Sequence, residues 1–336
     1  MTAARAFVTG GTGFLGLNLV EQLTAQSWQV TALHRSMSNL SEIRRFPVDL
    51  VAGELTDPAS LRRAIPQAVD AIFHVAADTS VWSHHAHRQT RINVEGTRNM
   101  VEAALASGAR RFVHTSTWNV YGLEQGAISE TSPQLGATSW INYNRSKFLA
   151  EEEVRRAIAR GLDAVIINPA HILGRYDRRG WARLIIGAHQ RRLPGVPSGA
   201  GTFCHAEAVA RAQIAAVGRG CTGQNYLMSG ADASLVELFR VINEVTGARV
   251  PLRPLPPFLF RLAARVDTAL AAVTSREPEA TPEGMAIATA RARVVSDLAE
   301  RELGYRPSPL ATMVEDSWTW LRQAGLVPSA GDGARA

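Results

Sequence analysis

The stretch "VTGGTGFLG", residues 8–16, restricts what this chain can fold into more than any other segment. A strand-like run, Ala6–Thr9, leads into it, and an amphipathic segment, Phe14–Ala25, leads out. Gly10, Gly13 and Gly16 recur at three-residue spacing, and Gly11, Gly13 and Gly16 also satisfy the pattern G-x-G-x-x-G. A turn so poor in side chains lets backbone approach a pyrophosphate while the first amides of the helix point at its charge. A glycine fingerprint is informative only between a strand and a helix, and that context is present here. Gly10, Gly13, Phe14, Leu15 and Gly16 are therefore expected to contact a dinucleotide.

The same alternation continues beyond the turn. Strand-like runs at Gln29–Leu33, Asp49–Ala52, Ala71–Val75, Arg111–Thr115 and Ala164–Asn168 are separated by helical patterns at Leu61–Ile65, Val94–Ser107 and Lys147–Arg160. Repeated βαβ units predict an α/β chain with a Rossmann-type doubly wound parallel sheet. With 336 residues, a smaller C-terminal substrate lobe is expected as well. The rhythm breaks near residue 175, and Gly and Pro accumulate at 193–201 and 251–257. We expect a cofactor-binding domain over 1–175, a mainly substrate-binding lobe over 176–325 with segments returning to the first domain, and a flexible tail over 326–336. A last helix is predicted over Pro309–Gln323. The apolar stretch Phe258–Val273 is interrupted by Arg261, Arg265 and Asp267, too short and too charged to span a bilayer. An amphipathic helix on the substrate side is expected there, and no integral membrane segment.

Composition removes other classes. The net charge is +6, but the arginines are scattered as pairs such as Arg44-Arg45, Arg62-Arg63 and Arg191-Arg192, with no basic stripe or arm, so nucleic acid is not expected as a partner. Cys204 and Cys221 are the only cysteines and form no metal spacing, so neither a disulfide framework nor a zinc site is indicated. The run "WSHHAHR" (82–88) offers three histidines without a carboxylate or cysteine, and no metal is expected. The chain enters its first strand without a charged-then-apolar leader, so a cytoplasmic location is expected.

The dinucleotide should be distinguished at the end of the second strand. An NAD site calls for a carboxylate on the ribose hydroxyl, roughly 20 residues past the glycines. The chain reads "VTALHRS" instead, and Arg35 with Ser36 could hold a 2′-phosphate by charge-assisted bonds. NADP(H) is preferred and NAD(H) remains possible; Arg35 could also stack on adenine or face water.

"YNRSK" (143–147) contains the one lysine among 36 basic Lys and Arg residues, four positions after Tyr143. On a helix, that spacing puts both side chains on one face. Ionising an ordinary tyrosine at pH 7 costs roughly 4 kcal/mol, and a nearby ammonium lowers that cost for acid–base transfer. A neighbouring hydroxyl to orient a carbonyl is available at a strand end in "HTSTWNVYG", as Ser116 or Thr117.

At this point the chain resembles the extended short-chain dehydrogenase/reductase family. The resemblance rests on "TGGTGFLG", "FHVAA" (73–77), "INVEGTRN" (92–99), "TSTWNVYG" (115–122), "YNRSK" and "LAERELGYRPSPL" (298–310), nearly the whole chain. It implies that Tyr143 is the general acid/base, that Lys147 lowers its pKa and binds the nicotinamide ribose, and that Thr117 rather than Ser116 binds substrate. It further implies that Glu54 and Leu55 lie near adenine, that Ala76 and Ala77 line the cofactor, that Pro169 and Ile172 approach the nicotinamide, and that Asn93 lies near the site's floor. Dimerisation through Val94–Ser107 and Tyr143–Arg160 follows from the resemblance alone.

Within that family, dehydratases carry an Asp-Glu pair after the Thr; Trp118-Asn119 stands there instead. Nucleotide-sugar members carry "RxxNVYGP" where this chain has "NPAHILGR" (168–175), with His171 in place of the Asn. Trp82, Trp118 and Trp140 fall at substrate-facing loops, which points to an apolar or aromatic pocket, with core packing as the plainer reading. Trp82, Trp118, Asn119, Trp140 and His171 are the substrate candidates. "FCHAEAVARA" (203–212) is similar to a family loop with two acids; Ala208 replaces one, leaving Glu207. The combination most resembles the dihydroflavonol-reductase and 3β-hydroxysteroid-dehydrogenase branch, and implies NADP(H)-dependent reduction of a small apolar or aromatic carbonyl compound. The alternatives are a nucleotide-sugar 4-epimerase holding NAD tightly and a non-catalytic dinucleotide-binding regulator.

Overall fold

A computed structural model describes residues 3–123, 126–193, 195–255 and 281–327, together with Asp267 and Pro278. Its centre is a sheet of seven strands, all paired in parallel. β1 (Arg5–Thr9) lies in the middle, with β2 (Gln29–His34) and β3 (Val48–Ala52) stepping outward on one side. The chain then crosses back, and β4 (Ala71–His74), β5 (Phe112–Thr115), Ala164–Pro169 and Asn225–Met228 step outward on the other. Strand order thus reverses between β1 and β4, and a crevice opens there above the carboxyl ends of the strands.

Period-two alternation assigns each strand residue to a face. Val8, Phe73 and Val113 enter one core together with Leu19 and Leu23 of α1 (Phe14–Ala25) and Val209 of the helix Ala206–Arg219. Phe7, Ile72 and Phe112 enter the other, with Leu61 of α2 (Pro58–Ala64), Met100 of α4 (Gly96–Ser107) and Val154 of α5 (Asn142–Ile158). Helices cover both faces, which explains why the strands read as near-continuous apolar runs.

Several boundaries differ from expectation for local reasons. α2 begins at Pro58 because Asp57 caps it, its carboxylate accepting from the Ala59 amide at 3.0 Å. α5 begins at Asn142, so Tyr143 lies in its first turn. A π turn, Arg91–Glu95, precedes α4 and follows a short helix, α3 (Ala86–Thr90). Asn225–Met228 joins the main sheet from beyond residue 175, after the alternation that identified the other six strands has ended.

A second sheet of three strands, His171–Leu173, Ala200–His205 and Ala231–Ser234, stands beyond the sheet's carboxyl edge. It leads into the helix Leu235–Thr246, which starts with a reciprocal Ser234–Glu237 capping box. The helix Leu310–Gln323 packs on Leu235–Thr246. Apart from Asp267, the expected helix at Phe258–Val273 lies outside the described residues, as does the tail from 328 onward. No helix among the described residues is long and apolar enough to cross a membrane.

Candidate active site

The β1–α1 turn is built by close approach. Gly10 has φ +74°, and a Cβ there would lie 2.6 Å from the Ala76 amide nitrogen. A Cβ on Gly16 would collide with the Gly10 carbonyl. Gly13 differs: its Cβ would meet only the Gly10 carbonyl, at 3.3 Å, and otherwise faces open space. Gly13 also caps α1 without any side-chain cap bond, so the first-turn amides of Phe14, Leu15 and Gly16 are available to an anion. A pyrophosphate group fits this cradle. The Thr9 hydroxyl accepts from the Ala76 amide at 3.3 Å and is bonded to His74 Nδ1 at 2.8 Å, tying the ends of β1 and β4 together beside Ala76 and Ala77.

Arg35 and Ser36 are exposed just past β2, in a turn closed by Ser38: the Arg35 amide donates to Ser38 Oγ at 3.1 Å. Among the described residues no carboxylate pairs with the Arg35 guanidinium. Past β3, the Glu54 amide donates to Ser60 Oγ at 3.0 Å, and the Leu55 carbonyl accepts from Asn99 Nδ2 at 2.8 Å. All these positions follow strand carboxyl ends, so the parallel sheet gathers them on one edge.

At the end of β5, Thr117 is extended and caps a short helical turn, its hydroxyl accepting from the Asn119 amide at 3.3 Å. Thr117 is the side chain that draws the Tyr143 phenol back toward its ordinary value. Ser116 instead donates its amide to the Ile167 carbonyl, and its hydroxyl is buried without a partner among the described residues. Of the two adjacent hydroxyls, Thr117 is therefore the one that acts on the tyrosine.

One turn beyond Tyr143, Lys147 is buried and donates to the Thr115 carbonyl at 2.7 Å. Burial pushes its ammonium down to about 8, against an upward pull from Glu151. Burial pushes the Tyr143 phenol up to about 12, while Thr117 draws it back. His74 and His114 lie beneath, their rings 5.5 Å apart. Burial and then Lys147 bring His74 down to about 3 and His114 well below its ordinary value. On the π turn, Asn93 donates to the Asp78 carbonyl and to Ser146 Oγ, each at 3.0 Å, locking the crevice floor to α5. π turns often occur at such sites.

The substrate candidates divide. Trp118 is buried and meets the His171 ring edge-on at 5.4 Å; Trp181 and Phe203 close on the same imidazole at 4.9 and 5.5 Å. Burial there lowers His171 to about 4. Asn119 is buried with Oδ1 unpartnered among the described residues. Trp82 is buried and stacks on His84 at 4.7 Å, with His85 against its edge. Trp140 is 64% exposed and belongs to neither cluster. Pro169 is buried at its strand's end and Ile172 is half-buried beside His171.

The loop entering the helix Ala206–Arg219 uses a different acid from the one expected. Glu207 pairs with Arg211 on its own helix, whereas His205 Nε2 reaches Asp316 Oδ2 of Leu310–Gln323 at 3.0 Å. Nothing in the local sequence connects positions 111 residues apart. Sequence reasoning also passed over Glu151 and Asn168, whose buried network holds Thr117 from below; the signal available was Glu151 four residues after Lys147 on one helix face.

The NAD dependent epimerase/dehydratase family matches residues 6–228. The chain is 31% identical to sterol demethylase protein B of Methylococcus capsulatus over 95% of its length and 99% of the relative's. It is likewise 31% identical to a putative dihydroflavonol 4-reductase of Synechocystis, over 96% of this chain and 95% of that one. Among solved structures it is similar to gox2253, with a TM-score of 0.82, 31% identity, and 96% and 99% of the two chains covered. The chain belongs to the NAD-dependent epimerase/dehydratase family, in the extended short-chain dehydrogenase/reductase class, and is a nicotinamide-dependent oxidoreductase.

Proposed function

We propose that the protein uses NADP(H) to reduce the carbonyl of a small apolar or aromatic ketone or aldehyde, with Tyr143 as the proton donor. The observation that carries this reading is that Tyr143 and a buried Lys147 lie one turn apart on α5, with Lys147 bonded to the Thr115 carbonyl two residues before Thr117. The substrate carbonyl oxygen accepts from the Thr117 hydroxyl and the phenol together, which fixes its carbon toward the nicotinamide side of the crevice. A bound nicotinamide dinucleotide supplies the hydride. The phenol gives its proton to the carbonyl oxygen as that oxygen gains charge, yielding the alcohol. A phenol held near 12 is a stable donor at neutral pH, and the Lys147 ammonium stabilises the phenolate left behind.

The absence of a carboxylate after β2, with Arg35 and Ser36 exposed there, supports NADP(H) over NAD(H). Relatives named for sterol demethylation and dihydroflavonol reduction support a polycyclic substrate, as do the aromatic rings around His171. The 1–175 segment binds the cofactor, and Trp82, Trp118, Asn119, Trp140 and His171 face the substrate. A homodimer through α4 and α5 belongs to the same reading; within one chain the Arg98–Glu153 pair bridges these helices.

NADPH consumption is measured against a panel comprising a 3-oxosteroid, a dihydroflavonol and a 2-alkyl-3-oxoalkanoate. Ketone-dependent oxidation is expected. Tyr143→Phe should slow it by about 10²- to 10⁴-fold with NADPH affinity nearly unchanged. Tightly retained NAD with no affinity for NADPH would overturn the reading in favour of an epimerase.

A further inference from the structure

Glu151 lies on α5 one turn past Lys147 and is fully buried. Each of its contacts is a donor. Asn168 Nδ2 donates to Oε1 at 2.7 Å, while Gln134 Nε2, Asn225 Nδ2 and Arg155 donate to Oε2 at 2.9, 3.0 and 3.1 Å. A carboxylate satisfies four donors; an amide would turn an N–H against at least one of them. Asn168 cannot flip to relieve such a clash. Its Nδ2 also donates to the Thr117 carbonyl at 3.1 Å, and its Oδ1 accepts from Asn225 Nδ2 at 2.8 Å. A flip would leave the Thr117 carbonyl without this donor. The orientation of Asn168, and with it the peptide carrying Thr117, is therefore dictated by the carboxylate of Glu151.

We propose that Glu151 is a positioning residue with two outputs: through Asn168 it fixes the peptide that carries Thr117, and it sets a buried carboxylate one helical turn from the buried Lys147 ammonium. This rests on the roles proposed above for Thr117, Tyr143 and Lys147. The other groups facing Lys147 do not supply that counter-charge. From β4 and β5 come His74 and His114, which burial keeps neutral, and the Thr115 carbonyl. Asn93 approaches from the π turn only through Ser146, and α5 contributes the un-ionised phenol of Tyr143. Arg155, at the far side of Glu151, is a cation. Glu151 is the group that raises the Lys147 pKa against burial.

The chain contains one lysine, so protein labelled with isotopic lysine gives a single side-chain ammonium signal, and its titration reports Lys147 without any substrate. The folded protein should titrate near 8. Glu151→Gln should move the midpoint down by about one pH unit or more. Glu151→Asp, which keeps the charge but shortens the reach to Asn168, should leave it near the original value. Asn168→Leu should lower kcat about tenfold on a ketone from the panel, with KM for NADPH and the lysine midpoint unchanged.

A folded Glu151→Gln protein with an unmoved midpoint would overturn the charge role, and undiminished kcat in Asn168→Leu would overturn the positioning role. A midpoint near 10.4, the value of free lysine, marks an unfolded variant. In that case Glu151→Asp decides: reduced kcat with an unmoved midpoint supports the proposal, and unchanged kcat defeats it. The titration needs no turnover, so failure of the reductase reading would appear separately, as Tyr143→Phe retaining activity.

Discussion

The two ends of the crevice are built in opposite ways. The cofactor end is local: seven consecutive residues, Gly10–Gly16, make a cradle by leaving side chains out, so that backbone meets backbone at Gly10–Ala76 and Gly16–Gly10. The catalytic end is assembled from distant elements: Thr117 after β5, Tyr143 and Lys147 on α5, and Asn168 on Ala164–Pro169, around a carboxylate buried among four donors. At Gly10 and Gly16 the first tolerates no added atom. The second tolerates no lost charge or donor, because each unpaired polar group in that interior would cost roughly 1–3 kcal/mol.

The sharpest contrast comes from Gly16→Ala against Gly13→Ala. The Gly16 Cβ has to displace the Gly10 carbonyl, so thermal stability and dinucleotide affinity should both collapse, with affinity falling by more than about a hundredfold (more than about 2.7 kcal/mol). The Gly13 Cβ enters open space where the pyrophosphate would lie, so Gly13→Ala should lose affinity while keeping its melting temperature. Calorimetric binding together with thermal unfolding separates the two. Equal losses in both properties for both variants would break the contrast.

At the catalytic end, Lys147→Arg should lose about tenfold or more in kcat while the fold survives. A planar guanidinium overfills a site where a compact ammonium donates to the Thr115 carbonyl. Near-normal turnover of a panel ketone would show that charge alone suffices.

A separate effect is in pH. His74 and His171 sit near 3 and 4 in the folded protein, below their ordinary 6.5. The unfolded chain therefore binds more protons than the folded one from about pH 6.5 down toward 3, and stability falls as pH drops through that window. Denaturant titrations between about pH 7 and pH 4.5 should show it, and His171→Phe should flatten the slope. A slope unchanged by that substitution would remove His171 from the acid response.

Legibility follows the same division. The glycine turn, six of the seven sheet strands and the Tyr143–Lys147 spacing are readable from sequence because each depends on neighbours along the chain. The choice of Thr117 over Ser116 needed the family pattern. Strand Asn225–Met228 was not legible because four residues that pair only with Ala164–Pro169 carry no alternation of their own. Trp82, Trp118 and Trp140 looked alike as aromatic loop residues, yet packing separates them into two buried clusters and one exposed ring.

The sequence by itself determined the doubly wound sheet, the glycine cradle and the helix that pairs the only lysine with Tyr143, since period-two and 3.6-residue patterns and turn chemistry act over short range. Tertiary structure alone decided that Glu151 and Asn168 steady Thr117, that Asp316 rather than Glu207 answers His205, and that burial holds Tyr143 high and Lys147 low. The reason is that desolvation and hydrogen-bond pairing depend on which groups the fold excludes from water together, and no spacing along the chain encodes that.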